Sequence, residues 1–431
     1  MKTRKLTALL LTSSLLLSMG TACGKKANTT SNLRTRTAER PQNQTAIFDL
    51  VNNGAGKNGT MTEEELRKAY SEFVFGVMKR CLAAAKGDNV LISSDSILFA
   101  LEMCAAGASG DTLDQMLQTM VPGASNEEGF QFAVERMKSL KNEQLRIANS
   151  AWINDSLKAS VYEDYLSYVK RHFNAQVSNI KFDSSAVKTI NKWVSDKTDG
   201  MIENLIDNIS SESLMVLVNA ITFDAKWANP FDESDVMDLV FHSGDGSRKS
   251  TPFLCGGDDG TYLYNENAQG FLKYYEGGKY AFMTILPNDE DVDINTFMQE
   301  MTTEEYWKFW ESRTTEYNLY FQFPEFETDY SQELQNYLAD MGMTDAFHSV
   351  KADFSNMTDI GVFISRVIHK THIEVNRSGT RAAAATAIEM KCMAAMEPEE
   401  MRSVICDRPF AYAIVDVESG LPVFLGTLET I

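Results

Sequence analysis

The sequence predicts an α+β fold built on large antiparallel sheets. Three observations carry this: apolar residues at helical spacing fill much of the first half, strand-like runs dominate from residue 239, and 44% of the 431 residues are hydrophobic, enough for a large core. No internal repeat and no domain-sized linker interrupts the chain after residue 62. Thr62 followed by Glu65 reads as a helix cap, and Leu66, Tyr70, Phe73, Val74 and Val77 then recur on one helical face. "NVLI" (89–92) predicts a short buried strand, followed by a Ser-rich turn, an apolar helix, a Gly-broken turn and a further helix opened by Asp111 or Thr112. "LRIANSAWI" (145–153) and "LMVLVNAITFDAKW" (214–227) read as strands, and 161–173 and 186–206 between them carry helical spacing. Strands are then expected at 280–287, 317–326, 368–375, 410–417 and 422–428, with Glu418-Ser419-Gly420 turning before the last.

Charge and targeting narrow the function classes. Sixty acidic residues against 40 basic ones give a net charge of −20, and no dense Lys/Arg block follows the first 26 residues. That balance disfavours nucleic acid and anionic membrane surfaces as partners. The N-terminus has a basic start (Lys2, Arg4, Lys5), an apolar stretch from Leu6 to Leu17 and then small residues. That pattern is an export signal over 1–22, too short for a spanning helix. Gly20-Thr21-Ala22 suits ordinary signal cleavage, while Ala22-Cys23 resembles a bacterial lipoprotein site with Cys23 as the lipidated residue; both routes stay open. Either route places the protein outside the cell or on the outer face of its membrane. Residues 23–60 are polar and Gly/Asn/Thr-rich, the composition of a tether.

Six cysteines are too few for a disulfide scaffold of this size. Cys81 and Cys104 fall in apolar helical patterns and read as buried thiols, while a bridge among Cys255, Cys392 and Cys406 remains open. His369 and His372 lie three apart on a predicted strand and so face opposite sides, which is wrong for two ligands of one metal. No cofactor or metal is expected, and no nucleophile with a matching base is found for a secreted hydrolase.

The stretch "NRSGTRAAAATAIEMKCMAAMEPEE" (376–400) is the unusual one. Four alanines favour helix, but a short free helix is marginal without a packed face. With period two, Thr380, Ala382, Ala384 and Thr386 face one way and Arg381, Ala383, Ala385 and Ala387 the other. Small side chains on one set would let such a strand be buried on that face without bulk.

In ordered blocks the chain resembles the serpin family from 62 to 431. The blocks are Asn89-Val90 with Ile92-Ser93 and Ser96-Ile97; "NKWVSDKTDGMIENLI" (191–206); "LVNAITFDAKWANPF" (217–231); "MTILPND" (283–289); "FPEFE" (323–327); "MGMTDAF…ADFS" (341–355); "ISRVIHKTHIEV" (364–375); Gly379-Thr380 with the alanine run; and "RPFAYAIVDVESGLPVFLG" (408–426). The resemblance implies a serpin domain over 61–431 with three sheets, about nine helices and an exposed reactive-centre loop near 376–405. It implies a suicide substrate for a serine protease, with no catalytic residues of its own. The protease is esterified to the cut loop, and the loop inserts as a new central strand before the ester is hydrolysed.

The resemblance also assigns residues. Gly379 and Thr380 form the hinge, followed by the inserting Ala382, Ala383, Ala384, Ala385 and Thr386. Counting from the hinge places the bait bond at Met393–Ala394, with Met390, Lys391, Cys392 and Met396 as other candidates. Met before the bond suits elastase-like pockets; Lys391 would suit trypsin-like ones. Ser93, Ser96, Asn219 and His369 match a polar shutter beneath the sheet, and Trp227 matches the tryptophan of the breach where insertion begins. Four departures stand out: Arg377 where the family commonly has Glu, Arg381 where it is commonly acidic, Ser94 where it has Pro, and a long 394–408 segment. The expected state is a monomer. A non-inhibitory serpin cleaved as a plain substrate is the second reading, and the small Ala382–Ala385 run weighs against it.

Overall fold

The computed structural model describes residues 60–257, 260–380 and 400–431. The expected export signal over 1–22 and expected tether up to residue 59, with Cys23, Arg381, Ala382 to Ala385, Thr386, Met393 and Ala394, lie outside the described residues.

Local chemistry sets the helical half. α1 (Glu63–Ala85) starts at the Thr62/Glu65 capping box: the Thr62 hydroxyl accepts from the Glu65 N–H, and the Glu65 carboxylate accepts from the Thr62 N–H at 2.7 Å. It ends where Lys86 and Gly87 turn left-handed (φ 50° and 92°). β1 (Val90–Ile92), α2 (Ser94–Ala105), α3 (Gly110–Met120) and α4 (Asn126–Leu140) follow. α3 begins before the predicted Asp111 because Gly110, at φ 51°, makes the turn into it. Then come β2 (Leu145–Asn154), α5 (Glu163–Phe173), β3 (Gln176–Ile180) and α6 (Ser184–Lys197).

α6 corrects the helix expected over 186–206. Asp199 (φ 49°) and Gly200 (φ 74°) break it, and the chain folds back. The Asn191 carboxamide accepts from the Leu205 and Ile206 N–H groups, both at 2.9 Å, and donates to the Ile206 carbonyl at 2.8 Å. Ile202, Leu205 and Ile206 are thereby buried without being helical, so their spacing mimicked a helix face.

The remaining elements are β4 (Met215–Phe223), β5 (Ala225–Lys226), β6 (Val236–His242), β7 (Arg248–Gly257), β8 (Thr261–Tyr264), β9 (Ala268–Tyr274), β10 (Tyr280–Pro287), α7 (Ile294–Glu300), α8 (Thr303–Glu311), β11 (Asn318–Pro324), β12 (Phe326–Glu333), α9 (Gln335–Asp340), β13 (Ile368–Asn376), β14 (Gly379–Thr380), β15 (Met401–Ile405), β16 (Phe410–Asp416) and β17 (Pro422–Leu428). A six-stranded sheet runs β1-β17-β16-β10-β9-β8, and a four-stranded one β15-β11-β7-β6. β10, β16 and β17 are buried along their whole length, which is why they read as unbroken apolar runs rather than as alternation. Two further ladders, β3-β2-β4 and β12-β13-β14-β5, are joined end to end through Asp224 between β4 and β5. They are the halves of one sheet. Among the described residues no ladder joins β4 to β13, and the short β14 stands between the two halves at the β5 end.

Candidate functional site

β14 is a two-residue strand held on both sides. Thr380 faces Val375 of β13 and Ala225 of β5, and Gly379 faces Asn376 and Lys226, both pairings antiparallel. The approach is too close for a side chain: a Cβ on Gly379 would stand 2.1 Å from the Ala225 carbonyl oxygen, and its φ is 155°. Thr380 is 1% exposed. Its hydroxyl lies 2.6 Å from the Tyr275 hydroxyl, which burial keeps protonated.

Trp227, directly after β5, closes this end. Its indole stacks on Tyr275 at 4.5 Å and 14°, and meets Phe231, Phe282 and Phe323 edge-on. The indole N–H donates to the Asn376 carbonyl at 2.9 Å and the Trp227 backbone N–H to the Ser378 carbonyl at 3.1 Å. Phe231 N–H donates to the Arg377 carbonyl at 3.1 Å. The tight turn from β13 into β14 is thus clamped from one side by residues 227–231. Arg377 is matched to acids: its N–H donates to Glu325 at 2.8 Å and its guanidinium lies 3.9 Å from Glu233.

The structure brings Ser93, Ser96, Asn219 and His369 together beneath the divided sheet. The Ser96 hydroxyl donates to the Asn219 side-chain oxygen at 2.6 Å, and the Ser93 N–H donates to His369 Nε2 at 3.1 Å. Asn219 is on β4 and His369 on β13, so the start of α2 is bonded to both halves of the sheet. Asn219 in turn donates to Asn149 at 2.7 Å, and Asn149 donates to the Phe173 carbonyl at 2.7 Å. The Thr371 hydroxyl donates to the Leu91 carbonyl at 2.6 Å. Ser94, the departure from Pro, spends its hydroxyl on the Pro422 carbonyl at 2.7 Å.

His369 is 1% exposed, and burial depresses its pKa from about 6.5 to about 3. With Nε2 accepting, the ring is neutral and carries its proton on Nδ1. Because the folded value lies below the unfolded one, the unfolded chain takes up a proton first as pH falls. The residue's contribution is therefore complete above about pH 6.5 and is lost at roughly 1.4 kcal/mol per pH unit below it. Urea midpoints measured from neutral to mildly acidic pH should fall less steeply for His369→Gln than for the parent; equal slopes would mean that His369 is not buried as a neutral ring.

Asn149, Tyr275 and Thr371 escaped the sequence reading. The signal for Asn149 was an asparagine inside an apolar strand run, and it lies directly across β2 and β4 from Asn219. Cys81, Cys104, Cys255 and Cys406 are buried free thiols, and burial pushes Cys81 up to about 12.

A family model described as "Serpin (serine protease inhibitor)" matches residues 68–430. An uncharacterized serpin-like protein of Methanosarcina mazei is 28% identical, covering 89% of this chain and 92% of the relative. The leukocyte elastase inhibitor of Xenopus laevis is 30% identical over 81% of this chain and 95% of its own length. Among solved structures, the thermophilic serpin tengpin in its native state superposes with a TM-score of 0.76 at 33% identity, covering 86% of this chain and 95% of tengpin.

Proposed function

The chain belongs to the serpin family, and from that premise we propose that it traps an elastase-like serine protease by inserting its cut loop between the halves of its divided sheet. The observation that carries this reading is β14: Gly379 and Thr380 are hydrogen-bonded to β13 and β5 together, in register for a strand that continues along β13 and β4. The next positions on Thr380's face are Ala382, Ala384 and Thr386, which add little bulk. Each added residue gains ladder bonds, so a strand of about fourteen residues gains on the order of 10 kcal/mol at ~0.5–1.5 kcal/mol per bond. Ordinary domains are stable by about that much, so the uncut state is held kinetically.

In this reading Trp227 and Tyr275 hold the breach, and Ser93, Ser96, Asn219 and His369 form the shutter whose bonds to β4 and β13 shift as the halves part. The protease, esterified at Met393, is carried away with the strand, and its active site loses the alignment that hydrolysis needs. Met393 before the bond and Ala394 after it fit a small apolar primary pocket, and the Xenopus laevis relative bears an elastase in its name. Export directed by residues 1–22, whether by ordinary cleavage or with a lipid on Cys23, would put the inhibitor where secreted proteases act.

Incubation with pancreatic elastase tests the proposal. The expected result is an SDS-resistant species of summed mass, release of a C-terminal peptide beginning at Ala394, and a cut protein that melts far above the intact one. Clean cleavage with fully active elastase and no gain in heat resistance would leave a plain substrate. The N-terminal mass of the exported chain, read in the same experiment, shows whether Cys23 carries a lipid.

A further inference from the structure

The outward face of β12 and β13 carries a set of three potential metal-ligand side chains that the proposed inhibitory cycle does not use. Glu327 and Asp329 alternate outward on β12, and His372 and Glu374 do so on β13. Asp329 lies directly across from His372, and Glu327 across from Glu374. His372 Nδ1 is 3.0 Å from Asp329 Oδ1 and 3.8 Å from Glu327 Oε1, and one ligand atom of each residue falls within 4.8 Å of the others.

We propose that His372, Asp329 and Glu327 bind a divalent transition-metal ion of the Zn²⁺ class. A tetrahedral ion with ligands at about 2.0–2.1 Å separates them by about 3.3 Å, and the two nitrogen–oxygen distances stand on either side of that edge. The carboxylate–carboxylate separation closes by rotation of exposed side chains. One imidazole with two carboxylates suits Zn²⁺ better than Ca²⁺ or Mg²⁺, which prefer oxygen alone.

The imidazole is already positioned. The His372 side chain is only 8% exposed, and Nδ1 is the atom turned to the acids. The electrostatics also call for a cation: Glu327 and Glu374 face each other as like charges, an unfavourable cross-strand pair. The next basic residue on this face, Lys370, spends its ammonium on the Asn204 carbonyl, and Glu374 accepts from the Asn376 side chain. In the bound form the neutral ring carries its proton on Nε2 and gives the Nδ1 lone pair to the ion, water completes the coordination, and β12 is tied to β13 on one side of the entry slot.

The test is titration of the full chain with Zn²⁺ against a competing chromophoric chelator, with Mg²⁺ as control. The parent should bind one more equivalent than His372→Ala, and Asp329→Asn should weaken that equivalent by at least about tenfold. The same ion should raise the parent's melting temperature and leave that of His372→Ala unchanged. Equal stoichiometry in parent and His372→Ala would overturn the proposal, because the zinc would then sit elsewhere, for example on a thiol. Mg²⁺ binding as tightly as Zn²⁺ would also overturn it, because the imidazole would then not be a ligand.

Discussion

Thr380→Arg is expected to convert the protein from an inhibitor into a substrate, with the number of molecules consumed per protease trapped rising at least about tenfold. Thr380 is 1% exposed, paired on both sides and 2.6 Å from the Tyr275 hydroxyl, whose ring is itself covered by Trp227. A guanidinium there loses its water and finds a single neutral hydroxyl in exchange, which costs several kcal/mol. A rise of about 3 kcal/mol in the insertion barrier slows insertion by roughly a hundredfold. Hydrolysis of the acyl-enzyme is chemistry performed by the protease and keeps its own rate, so the partition shifts toward release. The first cut should stay as fast as in the parent, because it happens before insertion. Thr380→Ser retains the hydroxyl for Tyr275 and should inhibit almost normally. If Thr380→Arg still trapped protease one to one, insertion could not begin through the seat between β5 and β13.

That seat shows where sequence reasoning stops. The Thr62/Glu65 cap was legible because its partners are three residues apart, and the alternation and apolar runs of the late strands were legible for the same local reason. The overrun of α6 into 198–206 came from trusting apolar spacing across Asp199 and Gly200, where two left-handed residues end the helix. β6, β7, β8 and β9 were not delimited individually, since strands such as "VMDLVFH" lack a clean two-residue period. Family likeness named Ser93, Ser96, Asn219 and His369, but not the geometry that makes α2 a bridge between β4 and β13. Asn149, Tyr275 and the acids that receive Arg377 are contacts across 52 to 105 residues or more, set by sheet register rather than by any local pattern.

Another contact of this long-range kind yields the largest expected loss of stability: Arg136→Met should destabilise the protein by about 3–5 kcal/mol. Arg136 donates through Nε and Nη2 to the two carboxylate oxygens of Asp95, both at 2.9 Å, and through Nη1 to Asp416 at 2.7 Å and Ser419 at 3.0 Å. The three charged side chains are at most 4% exposed. The guanidinium therefore ties α4 to the first turn of α2 and to the end of β16, across 41 and 280 residues. Methionine fills much of the volume but leaves two carboxylates buried near each other, with the Tyr70 hydroxyl, 3.3 Å from Asp95, as a remaining donor. Adding Asp95→Leu and Asp416→Leu should recover most of the loss, since a charge network replaced throughout by apolar groups is often neutral. Asp95 lies between Ser93 and Ser96, so the same variant should disturb the shutter and lose inhibitory activity on standing faster than the parent. Urea midpoints for the single and triple variants decide it. A single variant within about 1 kcal/mol of the parent would mean that the network is loosely solvated rather than buried.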